Sequence, residues 1–299
     1  MFFYKAHGLS IQSTIAFPEL TKNNSGIDVK IQYGKIDSSS NDILSEGIFR
    51  VASEFKITED SIFLILNDID ICEIIHGKEI IVNPFTGIEE NFLRALILGP
   101  AFGILLHQRG RLVLHASTVN INGDAVAFMG FNGGGKSTTT AALNNKGYPL
   151  VCDDISSLEF YGNGIPVIFP GFPRIKLWPE IIELFHDNLE AFPRIHSESE
   201  KRSCFTSNFS TNQLPLKRVY IIEKDEKINI TALRPQESLI ELIKNSYCAN
   251  IFQSLEQSTN LVQYANITKN ASVKRLNTGN SIKKLPELIK IIEKDALFE

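Results

Sequence analysis

Apolar and polar residues alternate with a period of two in several stretches before residue 90, and that spacing predicts half-buried strands. Ile27–Tyr33 and Gly47–Val51 alternate, whereas Ser61–Leu66 and Glu79–Val82 are short continuous apolar runs. Turn-forming stretches at Asn23–Gly26 and Asp37–Asn41 separate them. From Phe92 to Gln108 the pattern becomes helical, with a break or kink at Gly99-Pro100 and an end at Gly110. Arg111–Ile121 then reads as one strand with His115 inside it. Asn122-Gly123 is a two-residue hairpin signal, and Asp124–Met129 is the returning strand. A helix is expected from Lys136 to about Asn145, closed by Lys146-Gly147-Tyr148-Pro149. Leu150–Ile155 is a strand whose end carries Asp153 and Asp154.

Further on, Val167–Trp178 is an apolar stretch carrying Arg174 and Lys176 on one strand face. Pro179 suits the first turn of a helix over Glu180–Phe185. Lys217–Glu223 and Lys227–Leu233 read as neighbouring strands, Pro235–Asn245 as a helix, and Asn266–Ser281 as a loop. Leu285, Leu288, Ile289 and Ile292 share one face of a closing helix. The expected fold is α/β. Residues 1–90 form an N-terminal β-rich region and residues 91–299 a second unit built around a glycine-rich loop.

With 299 residues the chain is long enough for one large domain or two ordinary ones. A hydrophobic content of 43% supports a packed core. The net charge is −4, from 30 basic and 34 acidic residues, so no nucleic-acid partner is expected and any anion site must be local. The most apolar run, Ala95–Leu106, is too short to span a bilayer. Met1–Gly8 holds no sustained apolar segment, so a signal peptide is not expected. Cys72, Cys152, Cys204 and Cys248 are far apart, which fits a reducing compartment. The expected location is cytoplasmic, with no membrane partner.

The chemistry is concentrated at Gly130-Phe131-Asn132-Gly133-Gly134-Gly135-Lys136-Ser137-Thr138. This stretch fits the phosphate-binding pattern G-x-x-x-x-G-K-[ST], and it has the required strand before it and helix after it. Gly130, Gly133, Gly134 and Gly135 let successive N–H groups, including that of Asn132, turn toward phosphate oxygens. The helix start at Lys136–Thr138 adds partial positive charge. Lys136 reaches the β- and γ-phosphates, and the Ser137 hydroxyl can ligate Mg²⁺. The expected cofactors are ATP and Mg²⁺. An antiparallel hairpin feeding the loop is unlike the parallel units of ordinary nucleotide-binding folds, and it points to an atypical subclass.

An apolar strand ending in Asp downstream of such a loop suits metal binding. Neighbouring carboxylates alternate faces, so Asp153 and Asp154 reach one site only if the chain turns there. One can hold Mg²⁺ together with Ser137, and the other can take a proton from an attacking hydroxyl. Arg174 and Lys176 could hold phosphate or a peptide carboxylate, and surface charge is the competing reading. His196–Ser203 reads as a lid carrying Lys201 and Arg202, or as a solvated loop. His7 and His76 are isolated and read as structural or solvent-facing.

These residues resemble HPr kinase/phosphorylase, in which a strand histidine, a phosphate loop and an Asp pair follow one another at similar spacing. The closer resemblance is to the HPr-kinase-like proteins of lasso-peptide biosynthetic clusters. It is carried by Ala6-His7-Gly8-Leu9-Ser10, Leu114-His115-Ala116-Ser117 and Pro170–Trp178. The resemblance implies a kinase core related to phosphoenolpyruvate carboxykinase. It also implies ATP- and Mg²⁺-dependent phosphorylation of a serine, in the lasso relatives the C-terminal serine of a precursor peptide. Carried over, His115 and Asp153 match the acceptor-activating pair, Asp154 the carboxylate near the metal, and Lys136 and Ser137 the nucleotide and Mg²⁺ residues. The two Asp roles can be exchanged. Arg174, Lys176, Lys201 and Arg202 are the candidate substrate-binding cations, and Arg174 could also offset developing charge. HPr kinases form hexamers, so a homo-oligomer is the matching expectation. Here Pro170–Lys176 replaces the glycine-rich segment that serves phosphorolysis, which argues against phosphorolysis and against HPr as acceptor. The alternatives are a regulatory HPr-type kinase and a nucleotide-binding module without transfer chemistry. Residues 1–90 could dock the substrate.

Overall fold

The alternating N-terminal stretches build one sheet, nine strands wide among the described residues. They are β1 (Phe2–Ala6), β2 (Leu9–Ser13), β3 (Thr21–Lys22), β4 (Val29–Tyr33), β5 (Ser45–Phe49), β6 (Ser53–Ile57), β7 (Ser61–Leu66), β8 (Ile69–Ile75) and β9 (Glu79–Val82). Their order across the sheet is β3-β1-β2-β4-β9-β8-β7-β6-β5. This is a computed structural model, and it describes residues 1–24, 26–37, 45–49, 53–247 and 257–298. Most of the expected 37–41 loop, residues 50 and 51 of the expected second strand, and Cys248 lie outside the described residues.

Helix α1 (Glu90–Leu96), a π-turn at Ile97–Ala101 and helix α2 (Phe102–Gln108) lie against this sheet. Pro100 sits inside the wide turn, which absorbs the missing N–H of proline without ending the helical path. Leu93, Leu96, Ile97, Phe102 and Leu105 join Ile11, Ile31, Leu64 and Ile74 in one buried cluster. The helical segment therefore roofs the first sheet.

The second sheet holds β10 (Leu112–Leu114), β11 (Ala116–Ile121) and β12 (Asp124–Met129). After helix α3 (Lys136–Asn145) come β13 (Leu150–Cys152), β14 (Ser156–Tyr161) and β15 (Ile165–Phe169). The pair β16 (Arg174–Leu177) and β17 (Arg202–Phe205) stands apart as a two-stranded sheet, with helix α4 (Pro179–Ile182) between them in the chain. Next are β18 (Leu214–Glu223), β19 (Asn229–Ala232), α5 (Pro235–Lys244), α6 (Gln257–Asn270), β20 (Ser272–Asn277) and α7 (Leu285–Phe298). The main path runs β10-β14-β15-β18-β12-β11-β13. β18 is the hub, because its start pairs antiparallel with β15 and its remainder runs parallel to both β12 and β20. Among the described residues no helix is long and apolar enough to cross a membrane.

Three expectations about the elements need correction. Arg111–Ile121 is two strands, because the N–H of His115 bonds to the carbonyl of Asn245 at 3.0 Å rather than to a strand neighbour. On either side of that break β10 pairs with β14 and β11 with β12. The stretch 266–281 contains β20, which lies between β18 and β19 and separates them. Its charged residues concealed it: Lys274 pairs with Asp295 of α7 at 2.7 Å and Arg275 with Glu223 of β18 at 3.0 Å, so each has a partner beside the strand. Val167–Trp178 is likewise divided, between β15 and β16. The closing helix is as expected, with Leu285, Leu288, Ile289 and Ile292 all buried.

The β1–β2 turn joins the two sheets. His7 is buried, its N–H donates to the carbonyl of Pro170 at 2.7 Å, its Nδ1 lies 3.2 Å from Ser157 Oγ, and the guanidinium of Arg111 donates to its carbonyl. Burial, and then the charge of Arg111, push the imidazole from 6.5 down to about 3. The unfolded chain therefore takes up a proton well before the folded one does. The contribution of His7 is complete above pH 6.5 and is lost as pH falls toward 3. His107, lowered to about 4 by burial, adds a parallel effect. His7→Gln is expected to flatten the fall in urea midpoint between pH 6.5 and 4. An unaltered slope would exclude His7 as a source of acid sensitivity.

Candidate active site

β12 delivers the chain to the glycine loop, and α3 carries it away. Gly130 has φ 144°, and a Cβ there would stand 2.7 Å from the carbonyl oxygen of Ile222 on β18, so only glycine fits. Gly135, at φ 107°, takes the N-cap position of α3 in the left-handed region. A Cβ at Gly133 or Gly135 would meet nothing within 4 Å, which leaves the rim of the loop open to a ligand. Lys136 curls back over the loop, its Nζ donating to the carbonyls of Gly130 at 2.7 Å and Phe131 at 3.2 Å.

The Asp pair meets this loop. Asp154 has φ 67°, so the chain turns at the strand end and both carboxylates reach Lys176. Asp153 Oδ1 accepts from Ser137 Oγ at 2.9 Å and from Ser117 Oγ at 2.6 Å, while its Oδ2 accepts from the N–H of Lys176 at 2.9 Å. Asp154 Oδ2 accepts from Lys176 Nζ at 2.9 Å. One residue of β16 thus holds both carboxylates, the first by its backbone and the second by its side chain.

A small cavity of about 80 Å³ opens on these groups. Asn132, Gly133, Gly135, Lys136, Ser137 and Thr138 line it from the loop side. His115, Asp154, Lys176 and Lys201 complete its lining, with Leu177 and Trp178. Gly134 lines only a neighbouring, larger cavity, and Gly130 lies beneath the loop. The two carboxylates differ electrostatically. Burial, and then the charge of Asp154, push the Asp153 carboxyl above its ordinary range. Burial acts the same way on Asp154, but the charges of Lys176, His115 and Lys201 outweigh it and hold that carboxyl well below.

Four cations were candidates for this site, and the structure brings two of them to it. Lys176 and Lys201 line the cavity, with Lys201 Nζ 5.4 Å from the ring centroid of Trp178. Arg174 is 5% exposed and pairs with Glu19 at 3.7 Å, so it acts on the carboxylates through its field rather than by touching a ligand. Arg202 turns away to Glu190 and to the carbonyl of Phe192, each at 2.9 Å. It belongs to β17, paired with β16, and not to a free lid. The sequence reading gave no role to Ser117 or Glu19. A period-two count from His115 along the strand reaches Ser117 and would have found it. Glu19, from the far end of the chain, gives no comparable signal.

These oxygen donors suit a hard cation together with phosphate oxygens, since Mg²⁺ is bound through one or two carboxylates plus substrate phosphates. Among the described residues no group of three or more His, Cys, Asp or Glu could hold a metal by itself. No protein-family model matches the sequence, and no curated protein matches it. Among solved structures the chain is similar to the HPr(Ser) kinase/phosphatase from Coxiella burnetii, at 14% identity and a TM-score of 0.34, over 62% of this chain and 96% of that one. At that distance the likeness assigns no role to any residue, and the case for chemistry rests on the geometry around Asp153 and Asp154.

Proposed function

We propose that this chain is an ATP- and Mg²⁺-dependent serine kinase acting on a peptide, and that the acceptor is the C-terminal serine of a lasso precursor peptide. The supporting observation for kinase chemistry is Asp153, whose carboxylate is bonded at once to the loop serine, to Ser117 and to the β16 backbone. A second carboxylate and a histidine line the adjoining cavity. The choice of acceptor rests on the resemblance of Leu114–Ser117 and Pro170–Trp178 to the lasso-cluster kinases.

Of the two arrangements open to the Asp pair, we take the one that the contacts favour. Asp153, bonded to Ser137, would hold Mg²⁺ with it. Asp154, which lines the cavity with His115, orients the acceptor hydroxyl. Mg²⁺, when bound, would neutralise charge on the β- and γ-phosphates. The loop N–H groups and Lys136 hold those phosphates in line with the acceptor. Asp154 is ionised at neutral pH and has low proton affinity, so it takes the serine proton late, as transfer completes. Lys176 fixes Asp154, and Lys201 adds positive charge on the same side. Most of the acceleration comes from positioning and electrostatics.

The test is intact-mass measurement after incubation with Mg-ATP. Three acceptors are offered: a lasso-type precursor ending in serine, the same peptide ending in alanine, and HPr. A gain of one or more phosphates on the first alone is expected. Phosphate on HPr alone would move the chain to regulatory kinases, and modification of none would remove the transferase reading.

A further inference from the structure

The cavity beside the glycine loop, about 80 Å³, accommodates little more than a phosphate chain. A second cavity of about 370 Å³ adjoins it, within the ~300–1,000 Å³ usual for small-molecule sites. The two share Gly133, Gly135, Thr138 and Trp178. The lining of the larger contains neither His115, Asp154, Lys176 nor Lys201. It lies between α4 and the segment that enters α7. Ile181, Ile282, Leu285 and Leu288 supply apolar surface, and Glu180 and Lys224 supply polar groups. Trp178 is 42% exposed and Ile282 also 42%, so both present free surface at this cavity.

We infer that this second cavity receives the base and ribose of the nucleoside triphosphate, with the Trp178 indole against the base. The inference rests on the kinase reading and extends it to the nucleoside. The terminal phosphates belong at Lys136 and Ser137. The α-phosphate then lies along the first turn of α3, where backbone N–H groups and the helix dipole favour it. Thr138, in that first turn, lines both cavities. A nucleoside attached beyond the α-phosphate therefore leaves past Thr138 into the larger space. The acceptor approaches from the other side, where His115 and Asp154 are. An exposed indole together with aliphatic side chains makes a sequence-independent surface for a planar heterocycle. The Glu180 carboxylate can accept from the ribose hydroxyls, a pairing other nucleotide sites use.

Trp178 is the single tryptophan of the chain and reports on its own site. Binding of Mg-ATP and of Mg-tripolyphosphate is measured by calorimetry and by tryptophan emission, in the wild type and in the uncharged variant Ile282→Asn. Ile282 is exposed and lies outside the phosphate site, so the variant is expected to fold; a melting curve checks this. Loss of the apolar contact is expected to weaken ATP by about tenfold or more. Tripolyphosphate affinity is expected to remain unchanged, and ATP is expected to alter the emission more than tripolyphosphate does, because Trp178 borders both cavities. Equal weakening of both ligands, or of neither, would overturn the inference. So would a raised Michaelis constant for the acceptor peptide with ATP binding intact, which would make this the peptide site. Tripolyphosphate bound as tightly as ATP by the wild type would remove the nucleoside pocket and leave the phosphate site standing. Failure of the wild type to bind either would remove both.

Discussion

Asp154→Asn is expected to slow phosphoryl transfer by ~10²–10⁴-fold, the usual worth of a positioned proton acceptor, while Mg-ATP binds as before. The substitution is mild in every other respect. Asparagine is among the few residues that tolerate the left-handed backbone held at φ 67°. Its amide oxygen still accepts from Lys176 Nζ, so the β16 contact survives. What disappears is the charge that orients and finally deprotonates the acceptor. Asp153→Asn is expected to behave differently. Its carboxylate touches Ser137, so its loss should raise the Mg²⁺ concentration needed for half-maximal activity and weaken Mg-ATP binding. The Asp153 carboxyl is raised by burial, so its ionised form costs stability above the ordinary carboxylate range. A residue that cannot ionise removes that cost, but an amide NH₂ in place of Oδ2 cannot accept from the Lys176 N–H, so Asp153→Asn leaves a buried donor unpaired. Single-turnover rates and Mg²⁺ titrations on the two variants decide the matter. If Asp154→Asn keeps a tenth or more of the wild-type rate, or if the two variants show the same profile, this division of roles is wrong.

Glu19→Ala is expected to destabilise the fold by about 3–5 kcal/mol, the range for removing one partner of a buried ion pair. Glu19 pairs with Arg94 of α1 at 3.0 Å and with Arg174 of β16 at 3.7 Å. All three side chains are largely buried, at 6%, 13% and 5% exposure. Without the carboxylate, two guanidinium groups remain close together in a poorly hydrated place. Glu19→Gln retains an acceptor for Arg94 and should fall between alanine and wild type. The measurement is the urea midpoint with the slope checked for constancy. A shift worth less than about 1 kcal/mol for Glu19→Ala would mean that the triad contributes no more than an exposed pair.

The phosphate loop, its helix and the hairpin leading into it were legible in the sequence because each follows from local rules. Asn122 and Gly123 adopt φ 54° and 91°, as a two-residue turn requires. The helix over Lys136–Asn145 begins where the glycines end. The meeting of Asp153 with Ser137 and of Asp154 with Lys176 was legible only as a condition, since it depends on the turn at Asp154. Long-range features were not legible. The register that places β20 beside β18 joins segments far apart in the chain, and its Lys274 and Arg275 look like loop residues until Asp295 and Glu223 are seen beside them. Arg174 reads in the sequence as a cation for phosphate or a peptide carboxylate, because a period-two pattern assigns a face and says nothing about depth. Its partner Glu19 lies in the turn between β2 and β3, so no window along the chain contains both.

The hairpin of β11 and β12 has a consequence for how such chains diverge. Its pairs run from Ile121 opposite Asp124 to Ala116 opposite Met129. His115 and Gly130 directly follow that last pair, where both chains leave the ladder. A single residue gained or lost within either strand would slide the histidine past the first glycine of the loop. It would also turn that strand's side chains inside out. Length, more than residue identity, is what selection must guard between these two positions. Distant descendants of this sequence should align across the two strands without gaps, with any insertion collected at Asn122-Gly123, at the end of the ladder farthest from the phosphates.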